Sequence, residues 1–498
     1  MERTLNKREN GGAAVFCLLA AASVLMICSM NSWLYPLNPW NDVNIFMSVA
    51  RGMGEGLMPY RDMIEQKGPL LYWLHWLALQ LSPGNYHGMY LIETALLAGT
   101  LFCFWRIGRL YAPGFHVGWT ALLVAAICAS RTFRYGDCAE ELCLLPMAWS
   151  MYALLKSWRT GRPLSMAAYI LHGALAGCIL WIKYNQLGLH LVWMGWLAVE
   201  AAVRDRRMGR AVRMSLCFLA GMAIASVPWL VQYGLQGALD DLWKVYIVAN
   251  LTNYGPRNYP FFMYAVVGVL RGLSDIRLGL WMGIAFLGVF TMPGERMGVR
   301  EKLWIVLAAL VMSAAIYGSG LRYVYYFMSF TVFLPFGALL GERLLRPGAF
   351  RRWISVLLGM VMLAGGVGYA ILVSPNTAYI GYDYEDTLQG QAAALLGSEE
   401  DRSVLNVGFM DGGFYFALDT APPIPWFTLL NIHRDACWQA QAQCLSEGRV
   451  KYAVTWGDTL AELKMDAPYE EIAQLESDYA ASEEVCRIYR RLDQPGDI

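Results

Sequence analysis

Eleven apolar runs, each near the length needed to cross a bilayer, dominate the chain: 11–30, 85–107, 113–130, 141–157, 163–182, 184–202, 211–233, 275–292, 303–320, 322–341 and 352–373. A helix needs about 20 residues to span the hydrocarbon core. Backbone amides in lipid must be satisfied inside the segment, so such runs can only be helices. Two further stretches, 69–81 and 259–273, are shorter or interrupted and read as interfacial or re-entrant helices. Only 16% of the 498 residues are charged and 57% are hydrophobic, whereas soluble domains carry about 25% charge. The expected fold class is therefore an α-helical polytopic membrane protein with about eleven transmembrane helices.

The cations order these runs. Lys and Arg cluster in six connectors: Arg3/Lys7/Arg8, Arg106/Arg109, Lys156/Arg159/Arg162, Arg204 to Arg213, Arg296/Arg300/Lys302, and Arg343 to Arg352. With eleven spans all six fall on one side, which the positive-inside rule makes cytoplasmic. The expected location is the plasma membrane, with a cytoplasmic N-terminus. The first apolar run lacks a clear small-x-small cleavage site and reads as an uncleaved span. The alternating connectors face outward: Asn31–Lys67, RTFRYGDCAEE at 131–141, the Lys183 turn, Tyr233–Pro260, Gly318–Arg322, and everything after Val373.

Hydropathy falls from about Ser374. SVLNVGF (403–409), GFYFAL (413–418), KYAVTW (451–456) and VCRIYRRL (485–492) read as strands, and RDACWQAQAQCLSEG (434–448) as a helix. That alternation predicts a small α/β domain. The expected division is a transmembrane domain at 1–373 and an extracytoplasmic domain at 374–498. The tail carries 8 Lys/Arg against 21 Asp/Glu, and the rest 31 against 18. The basic residues sit in short clusters between apolar spans, so neither part reads as a nucleic-acid binder.

Several catalytic classes are excluded. There is no GxSxG, HExxH or P-loop. GFMDGG lacks the strand–GxGxxG–helix context of a nucleotide fold. The six His are scattered, and no CxxC occurs among the 11 Cys. Cys437 and Cys444, seven apart on a helix, would stand about 10 Å apart, too far for a disulfide.

The outward connectors carry the candidate chemistry. In NPWNDVNIF, Asn41 or Asp42 reads as a cap for a helix from about Val43 to Gly54, amphipathic and interfacial, and Asp42 reads alternatively as a general base at the membrane surface. Arg61 and Lys67, in YRDMIEQKGPLLYWL, are interface cations or phosphate ligands. Asp137, Glu140 and Glu141, in RTFRYGDCAEELCLLP, are a helix start or a divalent-metal or acceptor site completed by Asp42. Lys183 in LWIKYNQLG, and Arg322 with Tyr323 in GLRYVYYF, are anchors or parts of a cationic pocket for a phosphate head group. Glu55 and Glu65 read as ordinary solvated acids.

These pieces, in this order, resemble the GT-C superfamily of integral-membrane glycosyltransferases. The nearest likeness is to the family 39-like branch of protein O-mannosyltransferase-like and aminoarabinose-transferase-like enzymes. The resemblance rests on Asp42, the YRDMIEQKGPLLYWL segment, the acidic loop with Asp137 and Glu140, the GALAGCILWIKYNQLG span and the entry at Arg322. It covers about residues 11–373. It implies transfer of a sugar from a polyprenyl-phosphate carrier to a protein, lipid or glycan acceptor on the outer face, with Asp42 as base or acceptor ligand. Some members use a divalent metal, Mg²⁺ or Mn²⁺. Several carry two adjacent acids in the first loop, whereas Asp42 is flanked by Asn41 and Val43. A second acid would then come from Asp137 or Glu140, or be absent. Tyrosines follow Arg322 where a His–Tyr pair often stands.

Two other readings are open. A transporter or flippase of a lipid-linked or anionic solute would suit the many spans. Transporters often show internal repeats and broken mid-membrane helices, and no clear repeat is visible. A membrane scaffold presenting the tail would be indifferent to neutralising Asp42, Asp137 and Lys67.

Overall fold

The computed structural model describes residues 7–252, 255, 258–345, 351–457, 460, 468–480 and 485–492. Arg3 and Arg346 of the cation clusters lie outside the described residues. In chain order the first ten helices are α1 (Lys7–Cys28), α2 (Asn41–Gly54), α3 (Pro69–Leu81), α4 (His87–Tyr111), α5 (Trp119–Cys128), α6 (Ala139–Leu142), α7 (Leu144–Thr160), α8 (Met166–Lys183), α9 (Gly188–Val199) and α10 (Met208–Leu235). Two compact units make up the chain. One gathers Met1–Ser29, Tyr90–Pro228 and Pro256–Thr377, the other Met30–Met89, Trp229–Gly255 and Ala378–Ile498.

The first unit is helical, and every apolar run expected to span the membrane contains helix. Glu9–Cys28, His87–Tyr111, Met208–Leu235, Trp353–Val373 and the 39-residue run Met166–Arg204 are each long and apolar enough to cross a bilayer. Two bent pairs raise the count of five to seven: Phe261–Leu273 with Ile276–Thr291, at 108°, and Val324–Phe333 with Pro335–Leu345, at 48°. The remaining runs fall short of that test for visible reasons. α5 has 10 residues and α7 has 17. Helix Val299–Tyr317 carries Arg300, Glu301 and Lys302 in its first turn.

The run Met166–Arg204 is two spans rather than one. A 3-10 turn at Tyr184–Leu187 interrupts it. Along a straight helix His172 and His190 would stand about 27 Å apart. Yet Ser150 Oγ on α7 lies 2.9 Å from both His172 Nδ1 and His190 Nε2. α9 therefore folds back antiparallel to α8, and Trp193 packs on the His172 ring at 4.9 Å. Ser165 starts α8 by accepting the Ala168 amide, and left-handed Gly161 stops α7. Small residues allow α8 and α10 to cross closely. A Cβ on Gly173 would lie 1.9 Å from the Phe218 carbonyl oxygen, and one on Gly221 2.0 Å from that of Ile170.

The second unit holds α2, α3 and a four-stranded sheet. β1 (Val404–Asn406), β2 (Tyr452–Trp456), β3 (Tyr469–Leu475) and β4 (Cys486–Arg491) lie in the order β1-β2-β4-β3. β1 and β2 are parallel, with Leu405 opposite Ala453. Helix Arg434–Ser446 falls in their crossover. β2/β4 and β3/β4 are antiparallel, with an irregularity at Glu471/Ala473. Leu405, Val407, Ile424, Cys444, Leu445, Val450 and Ala453 form the core under this sheet. The strand expected at 413–418 is instead a helical turn, Phe414–Ala417, launched by Gly413 at φ +88°. That left-handed glycine turns the chain sharply and ends any extended run.

α2 also differs from expectation. Neither Asn41 nor Asp42 caps it: Trp40 occupies the cap position, and its amide is held by Asn38 Oδ1 at 3.0 Å. The helix is enclosed by protein on most of its length. Val43 through Ala50 are all buried, Asn44 and Ser48 among them.

Candidate functional site

In the helical unit the acidic connector and the end of α8 meet. Glu140 in α6 is fully buried, and its Oε1 receives Lys183 Nζ at 2.5 Å. The ammonium also stands 4.0 Å from the Tyr326 ring centroid and 5.6 Å from that of Tyr325. A buried ammonium needs such compensation, a carboxylate on one side and aromatic faces on the other. Tyr323 stacks on Tyr325 at 5.4 Å, so Lys183, Glu140 and Tyr323 share one cluster. Arg322 lies 5.8 Å from the Tyr264 ring.

Behind this cluster sits a second group of acids. Gly136 and Asp137 both adopt positive φ, which turns the Asp137 amide inward. That amide donates to Glu93 Oε1 at 2.7 Å and to Glu141 Oε2 at 3.1 Å. Ser29 donates to Glu93 Oε2 at 2.8 Å. Glu93 escaped the sequence reading, although a lone carboxylate in the apolar stretch HGMYLIETALL is costly unless it faces a partner.

The sheet-bearing unit carries the first-loop residues. Asp42 is half-buried in the first turn of α2, where the helix dipole favours a carboxylate. Arg61 is tied to its neighbour: its Nε and Nη2 donate to the Asp62 carboxylate at 2.9 and 2.7 Å, and Nη1 donates to the Gln236 carbonyl at 3.0 Å. The Arg61 hydrogen bond draws the Asp62 carboxyl below its usual range. Lys67 is buried, with Nζ 3.6 Å from Glu65 Oε1 and 5.6 Å from the Phe46 ring.

Glu65 is the main correction here. It is 1% exposed, not a solvated acid. It accepts the Lys67 amide at 2.7 Å and the Tyr72 hydroxyl. Glu55 is exposed as expected. A second buried acid in this unit, Asp411, was not singled out in the sequence. It is fully buried, and its carboxylate accepts Ser48 Oγ at 2.5 Å, the Gly413 amide at 2.7 Å and Asn406 Nδ2 at 3.1 Å. Among the described residues no group of three His, Cys, Asp or Glu side chains could hold a metal ion.

No family model matches the chain, and no curated protein matches it by sequence. The solved structures do give a match. The crystal structure of ArnT from Cupriavidus metallidurans in the apo state superposes with a TM-score of 0.63, over 97% of this chain and 98% of that one. The fold is that of ArnT. Sequence identity is 13%, so the likeness concerns architecture. The ArnT-like fold takes in both the helical unit and the C-terminal sheet, which the residue-level resemblance had left out.

Proposed function

We propose that the chain is a GT-C-type glycosyltransferase moving a sugar from a polyprenyl-phosphate-linked donor to an acceptor on the outer face of the membrane. The whole-length ArnT-like fold carries this reading. The donor class, the outer-face location and the residue roles come from the resemblance of Asp42 and its neighbouring segments to the superfamily.

In the proposed reaction Asp42 takes the proton from an acceptor hydroxyl. The hydroxyl oxygen attacks the anomeric carbon, and the bond from that carbon to the phosphate oxygen breaks. Polyprenyl phosphate leaves with the electron pair and needs cationic partners. Lys67 and Arg61, in the unit that carries Asp42, are the proposed ligands; Lys183, Arg322 and Tyr323 are a separate candidate phosphate set in the helical unit. Glu65 and Glu140 keep the two lysines charged and in place until phosphate arrives. Asp137 and Glu141 are proposed to organise that connector. No step is routed through a metal.

The test is transfer by full-length protein in vesicles, read as release of polyprenyl phosphate from a radiolabelled polyprenyl-phosphate sugar. Wild type should release it, and Asp42→Asn should lose at least about 100-fold in rate with unchanged thermal unfolding. Full activity in that variant would remove Asp42 from the mechanism. Lipid movement across the bilayer with no product formed would replace the enzyme reading by the transporter one.

A further inference from the structure

A pocket of about 310 Å³ opens in the sheet-bearing unit beside the start of α2. Asn41, Gln389, Phe409, Gly412, Trp456 and Tyr479 are among the residues that line it. Three features set its chemistry. Its walls are aromatic: Phe409 and Trp456 meet nearly at right angles, 82°, with centroids 5.7 Å apart. Both rings are only partly buried, so each keeps accessible surface. Its polar groups are side-chain amides and backbone. Gln389 Nε2 is fixed on the Gly412 carbonyl at 2.5 Å, which orients the remaining amide hydrogen and oxygen. Tyr479 is anchored through its hydroxyl to the Leu37 carbonyl at 2.5 Å, so its ring is a rigid wall. Finally, among the described residues no charged side chain lines the pocket.

A ligand for such a site has a flat apolar face, a rim of hydroxyls and no charge. Aromatic faces pack against apolar C–H surfaces, and amides both donate to and accept from hydroxyls. A charged ligand would leave water without a counter-charge. A sugar ring satisfies each requirement, and the volume is at the small end of ligand sites, suited to one residue. Asn41 adjoins Asp42, which places the pocket at the entry of the helix carrying the proposed base.

We propose that this pocket binds one uncharged sugar residue of a glycan acceptor. Its sugar binding stands on the pocket alone; its role as an acceptor site rests on the glycosyltransferase reading above.

Saturation-transfer NMR on the full chain in detergent tests this. The probes are methyl glycosides of a neutral hexose, an N-acetylhexosamine and a pentose, with a methyl glucuronide and a Ser/Thr-rich peptide as competitors. At least one neutral glycoside should receive saturation. Trp456→Ala should weaken it about tenfold, the loss of one stacking contact. Trp456→Phe should fall between. If Trp456→Ala does not fold, Trp456→Phe and Gln389→Ala carry the test, each expected to weaken binding. The proposal is overturned if no neutral glycoside binds, if binding ignores the Trp456 and Gln389 changes, or if the glucuronide or peptide is preferred. Sugar binding with no transfer in the vesicle assay would sink the enzyme reading and leave the pocket assignment standing.

Discussion

Ser48 on α2 donates its hydroxyl to the Asp411 carboxylate at 2.5 Å, joining the first loop to the tail across 363 residues of chain. Burial raises the Asp411 carboxyl from 3.8 to about 6, against the lowering effect of Ser48, the Gly413 amide and Asn406. An acid raised in the folded state holds its proton more tightly there than in the unfolded chain. Stability from this group is thus fully present below about pH 4 and is lost as pH rises to about 6. The loss is on the order of 3 kcal/mol. Exposed acids such as Glu399 and Glu471, lowered by Lys451 and by Gln474 with Arg487, shift stability the other way. Unfolding of wild type and Asp411→Asn should therefore be compared from pH 4 to 7. The wild type should lose ground to the variant as pH rises. A constant difference would refute the assignment.

Lys67 and Glu65 form a buried pair, 7% and 1% exposed. Removing one partner leaves a charge in a poor solvent, which costs about 3–5 kcal/mol. Lys67→Met should destabilise by about that amount. The double variant Glu65→Gln/Lys67→Met should regain most of it, because two neutral groups then share the site. A double-mutant cycle by thermal unfolding in detergent measures the coupling, and additive losses would show that the pair is not coupled.

Lys183 and Glu140 offer the same comparison with a functional reading attached. Their contact is 2.5 Å, and both are buried. Glu140→Gln alone removes the carboxylate beside the buried ammonium and should cost about 3 kcal/mol. Lys183→Met/Glu140→Gln should restore stability yet remain defective in transfer if Lys183 holds phosphate. A stable, fully active double variant would make the pair purely structural.

The parts of this fold legible in the sequence are those set by local pattern. Apolar runs between cation clusters marked the helices, and the apolar strands β1, β2 and β4 stood out in the tail. β3 was invisible because its residues Tyr469–Leu475 include Glu470 and Glu471 on an exposed edge, with no alternation to read. The misread turn at Phe414–Ala417 depends on the φ of Gly413, which composition does not encode. Glu65 looked solvated because its burial comes from Tyr72 on a neighbouring helix. Asp411 is buried and is paired with Ser48, 363 residues away in the chain. Such pairings are set by tertiary packing, and one chain without its packing cannot reveal them.

The crossing of α8 and α10 gives a packing test independent of function. Gly173 and Gly221 each approach a carbonyl of the other helix, so that a Cβ would fall within about 2 Å of it. Neither backbone can yield without separating the helices. Gly173→Val and Gly221→Val should each destabilise by about 3 kcal/mol, at the upper range for overpacking. Together they should cost less than the sum, because one separation relieves both clashes. Gly195 on α9 is the control: a Cβ there meets nothing within 4 Å. Gly195→Ala should be neutral or stabilise by up to about 1 kcal/mol through helix propensity. Thermal unfolding of the four variants in one detergent decides it. Changes at Gly173 and Gly221 no more destabilising than the change at Gly195 would mean that the crossing does not govern these sites.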